Sequence, residues 1–118
     1  MREPPSIDAW GGGGFRVSRL WRPASLLILD DQPRNWRPAY LDDLTLEDFA
    51  DVFAAGLETS EFILLGTGVA AALPSRAVRD AVKTAGFGFE FMASASAARL
   101  HNVLVSEGRR FATALIAV

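Results

Sequence analysis

The chain changes its hydrophobic rhythm several times, and each change marks an element. Phe15-Arg16-Val17-Ser18-Arg19-Leu20 alternates apolar and polar positions, the period of a half-buried strand. After Trp21-Arg22-Pro23, the run Ser25-Leu26-Leu27-Ile28-Leu29 is apolar almost throughout, as suits a strand covered on both faces. Two strands in succession predict a hairpin. Asp30 to Pro38, with Pro33 and Pro38, reads as a polar loop with Trp36 as its anchor. From Thr45 the period lengthens. Leu46, Phe49, Val52 and Phe53 recur at helical spacing, Thr45 can cap free N–H groups, and Glu47 and Asp48 suit the positive end of the helix dipole. Gly56 is the expected stop.

Phe62 to Leu65 is a second strand of the fully buried kind. Ser75 to Ala85 reads as a helix with Ala77, Val78, Ala81 and Val82 facing inward and Gly86 as its end signal. Phe87 to Met92 follows as a strand, Ala93 to Glu107 as a third helix closed by Gly108, and Phe111 to Val118 as a last strand. The order β-β-α-β-α-β-α-β predicts an α/β fold, a three-layer α/β/α sandwich around a mixed, largely parallel central sheet. Residues 1–14, with Pro4, Pro5 and the glycines Gly11 to Gly14, read as a flexible N-terminal arm, which leaves 15–118 as a single domain.

Composition narrows the functional classes. Half of the 118 residues are hydrophobic and 22% are charged, as in a chain that folds on its own core. A formal net charge of -2 lacks the basic footprint of a nucleic-acid binder. Charge is uneven: seven carboxylates fall between Asp42 and Glu61 with no Lys or Arg, a solvated acidic face or a docking surface for a basic partner. With no cysteine there is no disulfide, thiolate metal site or cysteine nucleophile. No signal-type apolar run and no membrane-length segment is visible, so a cytoplasmic protein without an integral membrane segment is expected.

Gly66-Thr67-Gly68-Val69-Ala70-Ala71 satisfies the glycine pattern of a dinucleotide turn, and Glu90 lies at about the ~20-residue offset of a ribose-binding carboxylate. The mechanics oppose it. In that fold the helix begins inside the glycine turn and aims its N-terminus at the pyrophosphate, whereas Pro74 delays the helix here until Leu73 or Pro74. No cofactor is expected. A lesser reading keeps Gly66, Thr67, Gly68 and Arg76 as a loop for a small anion or metabolite, with Asn102, Glu107 and Arg109 as polar neighbours.

Other candidates for chemistry are thin. His101 is the one histidine and has no partners spaced for a metal site; as a general base it is less plausible than as a packed or solvated residue. Asn102 is a poor helix former in mid-helix, which predicts an amide bonded to a neighbouring loop or backbone. Glu107 is expected to pair with Arg109 or Arg110 at the turn into the last strand. No catalytic residue is assigned.

Taken together, Gly66-Thr67-Gly68, Pro74, Ala97-Ala98-Arg99, Asn102-Val103-Leu104, Glu107-Gly108-Arg109 and the strand Ala112 to Val118 resemble the Mth938-like family, also called DUF498. Gly14-Phe15-Arg16-Val17, Ser25 to Leu29 and Trp36 fit its N-terminal half, and Leu100-His101 stands where the family often has Thr-Tyr. The resemblance implies a compact α/β fold with a mixed sheet and no established enzymatic activity. A mitochondrial relative acts in assembling respiratory complex I, which implies a non-catalytic interaction or assembly factor with protein partners, respiratory-complex components among them. A homodimer would protect the sheet's edges. The alternative is a small-ligand binder or enzyme using the Gly66 to Arg76 loop.

Overall fold

Ser25–Leu29 forms β4, and its five residues are all buried because both faces of the strand are covered. Leu27 and Leu29 belong to one apolar cluster and Leu26 and Ile28 to another on the opposite face. The computed structural model describes residues 2–118. Its central sheet runs β5(Gln32–Trp36), β4, β8(Ala112–Leu115), β6(Phe62–Gly66), β7(Gly88–Met92). β4 is antiparallel to β5 and β8, and β6 is parallel to β8 and β7. The sheet is mixed, as expected, but its pairings are evenly divided and not largely parallel.

The crossovers decide what covers it. The chain steps from β6 outward to β7 through α2(Arg76–Thr84), then back past β6 to β8 through α3(Ser94–Ser106). Right-handed crossovers in opposite directions put the two helices on opposite faces. Accordingly Val78 and Val82 of α2 share a cluster with Ile63 and Leu65, together with Phe49 and with Val52 of α1(Ala50–Ala55). Ala97, Ala98 and Leu104 of α3 pack with Leu64 and Leu115 on the other side.

That second face holds an element the sequence pattern did not predict. β1(Ile7–Gly11), β2(Gly14–Val17) and β3(Leu20–Arg22) form a separate antiparallel sheet, and Ile7, Phe15 and Val17 complete the α3 cluster. The arm expected over 1–14 is therefore strand from Ile7 to Gly11, with Ile7 buried. The expected hairpin of Phe15–Leu20 with Ser25–Leu29 does not form either, since β2 pairs with β1 and β3 while β4 pairs with β5 and β8. The polar loop over 30–38 is largely strand β5. Pro33 is accommodated because β5 is an edge strand, where a missing donor costs nothing to the ladder.

Three tight connections explain these departures. Gly12-Gly13, Ser18-Arg19 and Asp30-Asp31 are two-residue loops with positive φ at both positions, the geometry that matches strand twist. Asp8 supports the second loop by accepting the Arg19 N–H at 2.7 Å. Thr45 and Asp48 form a capping box before α1, and Trp36 donates to the Asp48 carbonyl at 3.0 Å. Among the described residues no helix is long and apolar enough to cross a membrane.

Candidate functional site

The glycine loop closes on itself. The Thr67 N–H donates to the Met92 carbonyl at 2.8 Å and the Gly68 N–H to Ser94 Oγ at 3.0 Å, while Ser94 Oγ donates to the Ile116 carbonyl at 2.7 Å. These bonds tie the C-terminal ends of β6, β7 and β8 together where a doubly wound fold would leave a crevice. Gly66 is required by proximity: a Cβ there would lie 2.8 Å from Ser94 Cα. α2 starts at Arg76, beyond Pro74, with Ser75 Oγ accepting the Val78 N–H. Arg76 is turned outward and lies 3.6 Å from Asp80. The Thr67 and Gly68 N–H groups thus have partners within the chain, and the Arg76 guanidinium points to solvent.

The polar residues grouped with that loop lie elsewhere. Asn102 clasps Ile7 of β1, accepting its N–H and donating to its carbonyl, both at 2.9 Å. Arg109 lies over the Phe62 ring at 5.1 Å, at the start of β6. Phe62 and Gly66 are four residues apart on one strand, roughly 13 Å at ~3.3 Å per residue, so Arg109 and the glycine loop occupy opposite ends of the sheet. The ion pair expected of Glu107 is absent among the described residues. The turn is held by backbone instead: Gly108 has positive φ, its N–H donates to the Val105 carbonyl, and the Arg109 N–H donates to that of Leu104.

His101 is a structural residue. Its Nε2 lies 2.8 Å from the Pro5 carbonyl, which can only accept, so Nε2 carries the proton and Nδ1 accepts from the Thr113 hydroxyl at 2.7 Å. Burial pushes its pKa below the ordinary value, against a smaller upward effect of the Pro5 carbonyl. Two of the seven clustered carboxylates are neutralised locally, Asp51 by Arg34 at 2.8 Å and Asp48 by Arg37 at 2.7 Å. Hydrogen bonding from Arg37 holds the Asp48 carboxyl below the usual range.

What the sequence did not single out is the free margin of β7. Among the described residues this strand pairs with β6 alone. Gly88 donates to Glu61, and Met92 accepts from Thr67, so the even-numbered residues face β6. The alternation of the ladder leaves the N–H and C=O of Phe89 and Phe91 directed outward. Beside the strand, on the α3 face, is a cavity of about 300 Å³. Phe62, Leu100 and Leu104 give it apolar walls, Gly88 lines it without a side chain, where a Cβ would lie 2.9 Å from Phe62 Cβ, and Glu90 and Arg109 provide polar rims. The two rims form no ion pair with each other among the described residues.

The chain is thus a mixed α/β protein with an open sheet margin beside an apolar hollow. It belongs to the family described as "Protein of unknown function (DUF498/DUF598)", whose pattern matches residues 7–116. It is 32% identical over 110 residues to an uncharacterised protein of Rhodobacter capsulatus, covering 93% of this chain and 82% of that one. A crystal structure described as an outer membrane protein from Bartonella henselae is similar with a TM-score of 0.88 and 28% identity, covering 98% of this chain and 96% of that one. A Mth938-like domain of Bordetella pertussis has a TM-score of 0.77 at 23% identity, with 98% and 90% covered, and shows the shared fold.

Proposed function

We propose that this protein is a non-catalytic cytoplasmic interaction factor that takes an extended segment of another protein alongside β7. In this reading the three-layer scaffold serves to present one sheet margin. The carrying observation is the contrast between the two margins. β5 is blunted by Pro33 and carries Arg34, the devices that keep edges from pairing. β7, Gly88-Phe89-Glu90-Phe91-Met92, has no proline and a single charge, and it leaves two outward N–H and C=O pairs available. A segment added there would bond through its main chain to Phe89 and Phe91 and direct alternate side chains to the α3 face. One of these, apolar, fills the hollow above Gly88.

A partner of different sequence fits better than a second copy. Antiparallel pairing of β7 with itself over its full length would set Glu90 against Glu90, and like charges directly opposed are destabilising. The resemblance to a family with a complex I assembly member makes respiratory-complex components the first natural partners to test.

The test is selection of short displayed peptides on the whole protein. Selected peptides are expected to shift the amide NMR signals of Gly88, Phe89 and Phe91. Leu104→Lys, which brings a charge to the hollow, should weaken them by roughly tenfold or more. Peptides that map to another surface, or self-association through β7 in their place, would overturn the reading.

A further inference from the structure

The connection from β6 to α2 carries an apolar tip that the β7 reading does not use. Val69, Ala70, Ala71, Ala72 and Leu73 are consecutive and all exposed, Val69 to 87% and Leu73 to 64%. Exposed apolar residues are ordinary singly, but a contiguous run at one projection marks a contact site. The tip is also built to hold its shape. Thr67, 6% exposed at its base, donates through Oγ1 to the Ala70 carbonyl at 2.7 Å and accepts the Ala72 N–H at 3.2 Å. The Ala70 carbonyl and the Ala72 N–H are thereby met from inside the protein, which fixes the turn that presents Val69 and Leu73.

Charge around the tip indicates the occupant. From Phe62 to Arg79 the chain has no carboxylate. Arg79 Nε donates to the Pro74 carbonyl at 3.0 Å, which holds a guanidinium against the foot of the tip. Arg76 stands beside it, its side chain 86% exposed, and Lys83 follows on the outer side of α2, opposite the buried Val78 and Val82. Asp80, which faces Arg76, is the one carboxylate of this helix.

We propose that the Val69–Leu73 tip docks the protein on an anionic lipid surface. Val69 and Leu73 enter the boundary of the acyl region, and Arg76, Arg79 and Lys83 meet headgroup phosphates. The site is at the opposite end of β6 from the β7 hollow, so a surface-bound protein keeps its peptide margin accessible.

Co-sedimentation of the full chain with phosphatidylcholine vesicles, with and without phosphatidylglycerol, tests this. Binding is expected to the anionic vesicles, to fall with added salt, and to be weaker on neutral vesicles by roughly tenfold or more. Replacing Val69→Ser and Leu73→Ser together, at positions too exposed to carry the fold, should weaken binding by roughly tenfold or more. Arg76→Gln with Lys83→Gln should weaken it less and flatten the salt dependence. The Leu73→Trp variant should gain an emission component that shifts to the blue on the anionic vesicles and is quenched by brominated acyl chains. Failure to sediment with either vesicle, undiminished binding of the double serine variant, or an emission of the Leu73→Trp variant that vesicles leave unchanged would each overturn the proposal.

Discussion

Asn102 acts as a surrogate strand for Ile7. Its side-chain amide makes the two bonds, each 2.9 Å, that a neighbouring strand's backbone would make. Helix α3 is thereby stitched to the margin of the small sheet. Asn102→Ala should cost about 1–3 kcal/mol, because both Ile7 groups lose a partner in a half-buried setting. The check is the urea midpoint at unchanged slope. Faster amide exchange confined to the β1 region would locate the loss.

His101 sets a pH window. Burial holds its native pKa below the ordinary 6.5, so the unfolded chain takes up a proton there that the native state does not. Its contribution is complete above 6.5 and is lost as pH falls below that value. Asp8 and Asp48 act in a more acid window. Asp8 is held below the ordinary 3.8 by the Ser6 hydroxyl and the Arg19 N–H, Asp48 by Arg37, and their contributions are lost only as pH falls beneath 3.8. Stability measured stepwise from neutral pH downward should therefore decline in two stages. His101→Gln should remove the first stage and keep the second; a first stage that persists in that variant would refute the assignment.

Gly66→Ala should be among the most damaging single-methyl additions in the chain. The new carbon would lie 2.7 Å from Leu115 Cδ2 and 2.8 Å from Ser94 Cα, between a strand and a helix start that cannot both yield. We expect a loss of about 3 kcal/mol, read as a lowered thermal midpoint. Gly68 differs in mechanism: only Ile116 Cγ2 lies near such a carbon, at 3.8 Å, but its φ of 113° is one that L side chains rarely adopt, so Gly68→Ala should lose stability through backbone strain and not through a clash.

Native-state amide exchange tests the open margin directly. If Phe89 and Phe91 face outward from β7, their amides should exchange at least ~100-fold faster than that of Glu90, which faces β6. Equal protection along the strand would mean that the margin is covered in solution.

The helices and buried strands were legible because period and punctuation agreed. Ser75 and Gly108 act as the cap and stop they resemble, and the continuous run Ser25–Leu29 is indeed covered on both faces. The missed strands share one cause. A two-residue loop with positive φ is ordinarily announced by Asn-Gly or a pair of glycines, and neither Ser18-Arg19 nor Asp30-Asp31 has that chemistry. Asp8 compensates for the first from a distant position that no local pattern reveals. Gly12-Gly13 did signal a turn, but the proline and glycine content around it favoured an unstructured arm. The β7 hollow was not legible either, since its walls come from β6, β7, α3 and the residue after α3's closing turn, and only topology assembles them.

Chain order and spatial order differ most at β8, the last strand in sequence and the middle one in space. Until Ala112–Leu115 have left the ribosome, the β4–β5 hairpin and the β6–β7 pair have nothing between them to join. A nascent or truncated chain lacking this strand would be two unattached half-sheets with apolar flanks exposed, a natural substrate for chaperones and proteases.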